Sequence, residues 1–302
     1  MFKDKTILIT GGCGFIGSNL VDSLVKYDIN KLIILDNQCQ SDVDNIKHLL
    51  EDRRVEFIKA DIRDYDSIEP LVLQSDFIFH LAAGDVGMSE IYPRVNIETN
   101  VLGTFNILQA ATKNKNVRII YASSGSVVNP STIYAISKLA AENLAMFFAK
   151  ERGLKISALR YHHVFGPRQN IFGSSGVINK FLYRILQGKP PIIWGTGKAI
   201  KCFTFVEDVI AATLIVAVDD DTIGEIYDVA SDTRINIKEL AHLLIDQYSS
   251  DSSLELTYTT AKTGENNELF PDTTKIKAIG WRPTYTFEEG LNITKKWVEE
   301  RI

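Results

Sequence analysis

The chain has 302 residues, 45% hydrophobic and 24% charged, with a net charge of −5 at pH 7. That length suits one large domain, or a domain with an appendage, and the mildly acidic balance favours neither nucleic acid nor an anionic membrane. No apolar run is long enough to span a bilayer, and the opening residues enter a strand with no signal-peptide pattern.

The first strand is Ile7–Thr10, and it runs straight into Gly11-Gly-Cys-Gly14-Phe-Ile-Gly17. Phe15, Ile16, Leu20, Val21, Leu24 and Val25 then recur at helical spacing. Strand, glycine turn and amphipathic helix together let backbone N–H groups and a helix N-terminus approach a pyrophosphate. The second strand, Lys31–Asp36, ends on an acid about twenty residues after the glycines. Asp36 can accept from a ribose diol and repels a 2′-phosphate, so the spacing points to NAD rather than NADP. Cys13, Cys39 and Cys202 are scattered, odd in number and without C-x-x-C spacing, and read as free thiols in a reducing, cytoplasmic setting.

Further strands are predicted at Val55–Ala60, Phe77–Leu81, Val117–Ser123 and Ile156–Tyr161, with helices at Tyr65–Leu73, Asn96–Lys113 and about Ser131–Arg152. This alternation predicts an α/β, Rossmann-type doubly wound parallel sheet, with ligands at the carboxyl ends of the strands. After Gly166-Pro167 the rhythm breaks at Gly173–Gly176, Gly188–Pro191 and Gly195–Gly197. Helices return at Val177–Gln187, Glu207–Val218, Asn236–Gln247 and Phe287–Glu300. Asp219-Asp220-Asp221 reads as a solvated loop, and Asp272-Thr-Thr274 as the cap of a short helix closed by Gly280. The division expected is a dinucleotide-binding domain over 1–166, with contributions from about 203–230, and a smaller mixed α/β substrate region over 167–302.

Tyr134-Ala-Ile-Ser-Lys138 places a phenol and an ammonium on one face of a helix. The expectation is that the lysine charge lowers the tyrosine pKa and makes it a general base toward a substrate hydroxyl. Tyr27-Asp-Ile-Asn-Lys31 fits the same spacing but falls in a surface turn. Position separates them: Tyr134 follows a strand whose end carries Ser123-Ser124-Gly125, where a serine can bond the same substrate oxygen.

With these residues in place the chain resembles, over nearly its full length, the extended short-chain dehydrogenase/reductases of the NAD-dependent nucleotide-sugar epimerase/dehydratase family. Thr10-Gly-Gly-x-Gly-Phe-Ile-Gly-Ser18, Ala60-Asp61-Ile62, His80-Leu81-Ala82-Ala83 and Asn100-Val-Leu-Gly-Thr-Phe-Asn106 carry the resemblance. So do Ser123-Ser124, Tyr134/Lys138, Leu159-Arg-Tyr161, Val164–Arg168, Gly195-Thr-Gly197 and Phe203–Val209. It implies that NAD is held by Gly11, Gly14, Phe15, Ile16, Gly17, Asp36, Asn37, Asp61, Ile62, Leu81, Ala82, Ala83, Asn100, Tyr134, Lys138 and Tyr161. It implies Ser124, Tyr134 and Lys138 as the catalytic set, and His163, Val177, Lys180, Trp194, Lys201 and Asn267 as contacts to a nucleotide-diphosphate sugar. Hydride then leaves a sugar carbon, usually C4, for NAD while Tyr134 takes the hydroxyl proton and Ser124 steadies the ketone. Trp194 fits either stacking on a nucleobase or plain packing.

The departures bear on the reaction. Only Gly125–Ile133 separates the serine motif from the tyrosine, where the family has a long proline-rich loop. His163 replaces an asparagine, Lys201 an arginine and Asn267 a second arginine. Lysine is a point charge without the arginine fork. Gly125-Ser126 does not match the Asp-Glu pair of sugar 4,6-dehydratases, which counts against water elimination. His162-His163 on a strand would point to opposite faces, so no metal is expected, and His80 reads as a buried strand residue. The expected activity is epimerisation through a 4-keto intermediate, with a 4-dehydrogenase that releases the ketone as the alternative. A non-catalytic nucleotide binder is the alternative of another class, and the intact Ser124/Tyr134/Lys138 set argues against it. Excess apolar positions on Asn96–Lys113 and on the helix from Ser131 predict a homodimer through these two helices, as in relatives.

Overall fold

Strands with no polar face have to be covered on both sides, and the sheet of this chain is built that way. The computed structural model describes residues 1–173, 176–251, 253–260 and 270–302. The first half runs β1 (Thr6–Thr10), α1 (Phe15–Leu24), β2 (Lys31–Asp36), β3 (Val55–Lys59), α2 (Tyr65–Leu73), β4 (Phe77–His80), α3 (Val86–Ile91) and α4 (Pro93–Ile97). A π-helical turn (Glu98–Gly103) leads into α5 (Thr104–Ala111), followed by β5 (Arg118–Ser124), α6 (Ile133–Arg152) and β6 (Lys155–Tyr161). The second half contains β7 (Val164–Phe165), α7 (Val177–Leu186), β8 (Ile192–Trp194), β9 (Ile200–Cys202), β10 (Thr204–Phe205) and α8 (Val206–Val218). It ends with β11 (Ile226–Val229), β12 (Arg234–Asn236), α9 (Ile237–Tyr248), β13 (Thr257–Thr259), α10 (Thr274–Ala278) and α11 (Phe287–Glu299).

Seven strands form one parallel sheet in the order β11-β6-β5-β4-β1-β2-β3. The winding reverses between β1 and β4, the switch point at which doubly wound sheets open a ligand crevice. Side chains alternate across the sheet as a strand requires. Ile7 and Ile9 join the core under α1 and α8, and Leu8 joins the core under α2, α5 and α6. The first of these cores continues without a break into the second half, through Leu240, Trp281, Leu291 and Val298. Outside the sheet, β7–β10, β8–β13 and β9–β12 make three two-stranded pairs above the carboxyl ends of the sheet strands.

The helices predicted from periodicity are present. Thr132 caps α6 by accepting from the Ala135 N–H, and Gly153 ends it at φ +68°, a conformation glycine adopts without a Cβ clash. The helix expected at Asn96–Lys113 begins earlier, at Pro93, and widens into the π turn. The six-residue α3 was not anticipated. It starts where Asp85 Oδ1 accepts from the Met88 N–H at 2.8 Å.

Candidate active site

A cavity of about 870 Å³ opens at the carboxyl ends of the sheet strands. Its walls come from Phe15 and Ile16 of α1, Ser123–Ser126 after β5, Tyr134 of α6, Tyr161–Phe165, and residues of α7, β8 and β9.

The glycine turn between β1 and α1 is closed by sterics. Gly11 sits at φ +72°, and a Cβ there would lie 2.7 Å from the Ala82 nitrogen. A Cβ on Gly17 would lie 2.2 Å from the Gly11 carbonyl oxygen. Gly14 is the N-cap of α1, so the first N–H groups of that helix face the turn. Asp36 is 6% exposed at the end of β2. Its Oδ2 accepts from the Cys13 N–H at 3.0 Å, and its Oδ1 accepts from the Gln38 N–H and the Ser41 hydroxyl, both at 2.8 Å. A carboxylate has about four acceptor positions, so one on Oδ2 is left for a ribose hydroxyl. Cradle and acid therefore fit a dinucleotide. Asn37 Nδ2 donates to Asp61 at 2.8 Å, and Arg63 hydrogen-bonds the same carboxylate and holds its pKa down at about 2. Arg63 carried no sequence signal. Ile62 points inward against Gly103, so it contributes backbone and packing at this edge.

His80 is fully enclosed and ties the strand ends together. Thr104 Oγ1 donates to the Asn100 carbonyl, which leaves it to accept from His80 Nε2–H at 2.9 Å. His80 Nδ1 then accepts from the Thr10 hydroxyl at 2.7 Å. Burial holds this imidazole neutral, at a pKa of about 3, with the Lys138 charge adding to the shift. Next to it, Leu81, Ala82 and Ala83 pass beneath the glycine turn, with Ala82 N–H donating to Thr10 Oγ1 at 3.3 Å. Asn100 spends its side-chain amide on Gly84 and on Ser137 Oγ, one residue before Lys138. It therefore acts by fixing the β4 loop to α6.

Ser124 and Tyr134 both line the cavity, whereas Lys138, four residues further along α6, is not among its lining residues. On that wall Ser124 Oγ lies 2.9 Å from Ser126 Oγ. One expectation fails here. Burial raises the Tyr134 pKa, the Ser124 hydrogen bond offsets part of the rise, and the Asp85 charge adds to it. Lys138 does not lower it, because Nζ donates to the Ala122 carbonyl at 2.6 Å and lies 4.4 Å from the Tyr121 ring centre. Burial brings Lys138 down to about 7, against the pull of Glu142. Tyr161 lines the cleft with its hydroxyl 2.8 Å from Thr213 Oγ1, and burial pushes that phenol up. Tyr27, the decoy match, packs edge-on against Phe2 before the amino end of β1.

The far half of the cleft is cationic and aromatic. His163 stands at φ +37°, its ring edge-on to Phe203 at 5.9 Å. The surrounding wall, helped by the Lys201 charge, holds its imidazole well below the usual range. Val177 and Lys180 of α7, Trp194 of β8 and Lys201 of β9 all line the cavity. Asn267 lies outside the described residues. Sequence reading missed Arg184 and Lys189, which line the same wall, and Asp85, which lines the cleft near Tyr134. Arg184 had a readable signal, since it stands four residues after Lys180 on one helix face. Both adjacent histidines line the cavity, and His162 Nε2 pairs with Asp228 Oδ1 at 2.6 Å. Among the described residues no group of three or more His, Cys, Asp or Glu is placed to hold a metal, and no helix is long and apolar enough to cross a membrane.

The chain is similar to characterised proteins along nearly its whole length. It is 34% identical to the UDP-N-acetyl-alpha-D-glucosaminuronate decarboxylase of Bacillus cytotoxicus, covering 98% of each chain. Its fold superposes on the UDP-glucose 4-epimerase of Thermotoga maritima, solved with UDP-glucose, at a TM-score of 0.89 and 30% identity, covering 98% of this chain and 99% of that one. The UDP-N-acetylglucosamine 4-epimerase of Methanobrevibacter ruminantium, solved with UDP-N-acetylmuramic acid, matches at a TM-score of 0.91 and 30% identity over 100% of both chains. The sequence model described as the NAD dependent epimerase/dehydratase family matches residues 7–230, and the chain belongs to that family.

Proposed function

We propose that the chain is an NAD-dependent nucleotide-sugar epimerase working through a 4-keto intermediate, with Tyr134 as the base. The observation that carries this reading is Tyr134 and Ser124 together on the wall of a cleft that Phe15 and Ile16, directly after the glycine turn, also line. NAD held by the glycine turn and Asp36 would supply the hydride acceptor. In this reading residues 1–166, with 203–230, hold the cofactor and 167–302 hold the nucleotide sugar. Tyr134 takes the hydroxyl proton, Ser124 bonds the oxygen that becomes the carbonyl, and Lys138 holds the ribose once turned from Ala122. Lys180, Arg184, Lys189 and Lys201 give the diphosphate a cationic wall. Retention of the ketone and return of hydride make the reaction an epimerisation.

Dehydration is the less favoured chemistry. A Cβ at position 125 would lie 2.2 Å from His162 Nδ1, so no carboxylate fits there while that ring stays in place, and position 126 is a serine. A single observation supports the 4-dehydrogenase alternative. The turn after Ser124 is a short 3-10 segment, Gly125–Val128, flanked by Val128 at 54% and Ile133 at 37% exposure, so the cleft has little cover there. The test is Tyr134→Phe beside Tyr27→Phe. The first should lower sugar-dependent cofactor reduction about 100-fold, with NAD binding retained, and the second should leave it unchanged. Sensitivity at Tyr27 instead would overturn the site.

A further inference from the structure

The charges that line the cleft are sorted by end. Lys180 and Arg184 of α7, Lys189 after it and Lys201 of β9 supply the cations, and Asp85 is the one acid among the described lining residues. Asp85 caps α3, its Oδ1 accepting from the Met88 N–H at 2.8 Å and from Gln40 Nε2 at 3.3 Å. Hydrogen bonds tie this cap to the helix that carries the base. Asn96 Nδ2 donates to the Asp85 carbonyl at 3.0 Å, and Asn96 Oδ1 lies 3.0 Å from Ser137 Oγ. Asn100 bridges the same two parts, accepting from the Gly84 N–H at 2.8 Å and donating to Ser137 Oγ at 2.9 Å. Ser137 follows Tyr134 by one turn of α6, and its Oγ lies 2.8 Å from the Tyr134 carbonyl oxygen. Asp85 is therefore held at the Tyr134 end of the cleft. Its charge reaches the phenol, adding to the rise in pKa that burial causes there.

We propose that Asp85 sets the substrate class, admitting nucleotide sugars with neutral groups beside C4 and rejecting nucleotide uronic acids. The proposal rests on the 4-keto reading above, which puts the sugar at Tyr134 and the diphosphate on the cationic wall. A uronic acid carries its carboxylate on C5, the carbon next to C4. With C4 at Tyr134, that carboxylate is brought into the end of the cleft that Asp85 occupies. The cations that could answer it stand in the far half, where the diphosphate takes them. Like charges repel more strongly in a cleft shielded from water than in bulk solvent, and their juxtaposition excludes the wrong ligand. A hydroxymethyl group on the same carbon carries no charge and can donate to a carboxylate. The discrimination therefore lies in the charge of residue 85, and a neutral residue of similar shape would lose it.

The test uses the full chain, with UDP-glucose and UDP-glucuronic acid as probes. Calorimetry on protein loaded with NADH gives the two affinities, and absorbance on protein loaded with NAD follows cofactor reduction. Wild type should bind UDP-glucose about tenfold or more tightly than UDP-glucuronic acid. Asp85→Asn keeps a capping group on α3 and removes the charge, and should tighten UDP-glucuronic acid about tenfold. Asp85→Ser, a second neutral cap, should act in the same direction. Loss of packing does not produce a gain of affinity for the acid sugar, so this readout separates charge from a structural role. Equal affinity for the two sugars in wild type overturns the proposal. So does UDP-glucuronic acid binding no more tightly in both neutral variants. If both sugars bind and neither reduces the cofactor, the 4-keto reading fails, while the affinity ratio still decides whether Asp85 rejects the carboxylate. If neither sugar binds, the nucleotide-sugar reading fails and the role of Asp85 falls with it.

Discussion

Lys138 donates from Nζ to the Ala122 carbonyl oxygen at 2.6 Å, one helical turn beyond the tyrosine it was expected to activate. The ammonium is 3% exposed and its pKa is brought down to about 7 by burial. Above that value the folded chain releases the proton, while the unfolded chain keeps it up to the ordinary lysine value of 10.5. Across that window the unfolded state binds more protons, so stability from this site rises with pH. Below it both states are charged, and the full cost of a buried cation remains.

Lys138→Met should therefore raise the melting temperature of cofactor-free protein near neutral pH, with the gain shrinking as pH approaches about 10. Calorimetry across that range checks it. A gain that is absent, or that grows with pH, contradicts the burial argument.

Cofactor choice follows from Asp36. A 6% exposed carboxylate already holding three protein donors has no room or charge tolerance for a 2′-phosphate. NAD should bind about tenfold or more tightly than NADP, a difference of about 1.4 kcal/mol or greater. Calorimetric titration showing equal affinity, or a preference for NADP, would sink this.

Assembly follows from apolar surface that the chain does not cover. Leu102 is 54% exposed, Phe105 37%, Ile136 52% and Phe147 49%. Phe105 and Phe147 both meet the Phe148 ring at 6.0 Å, which joins the π turn, α5 and α6 into one face. Such a face fits a second copy of itself. Light scattering should give twice 33.8 kDa at micromolar concentration, and Phe147→Asp should shift it toward the monomer. A wild-type mass of 33.8 kDa would refute the dimer.

What could be read in the sequence is what local pattern controls. The β1–α1 glycine turn, Asp36 and the Tyr134/Lys138 helix stand where spacing put them, because strand and helix periods are local properties. Some short elements were missed, α3, β7 and β10 among them, since a segment of two to six residues without a glycine, acid or cap to mark it shows little period and is fixed by its partner. Pairings distant in sequence were equally hidden. Asp228 meets His162 across 66 positions, and Lys138 turns to Ala122 because burial, not spacing, decides where an ammonium goes. The cations of α7 lay closer to reach, since Lys180 and Arg184 share a helix face.

The central claim is that the ketone is made at Tyr134 and kept. The direct measurement is product analysis by NMR, without added oxidant, on UDP-, GDP- and CDP-sugars, heptoses included. The account predicts an epimer accumulating to equilibrium, with turnover falling about 100-fold in Tyr134→Phe. A stoichiometric keto sugar with reduced cofactor left on the protein, turning over only when an acceptor is added, would contradict it and select the dehydrogenase. No reaction with any nucleotide sugar would contradict both and leave a nucleotide binder.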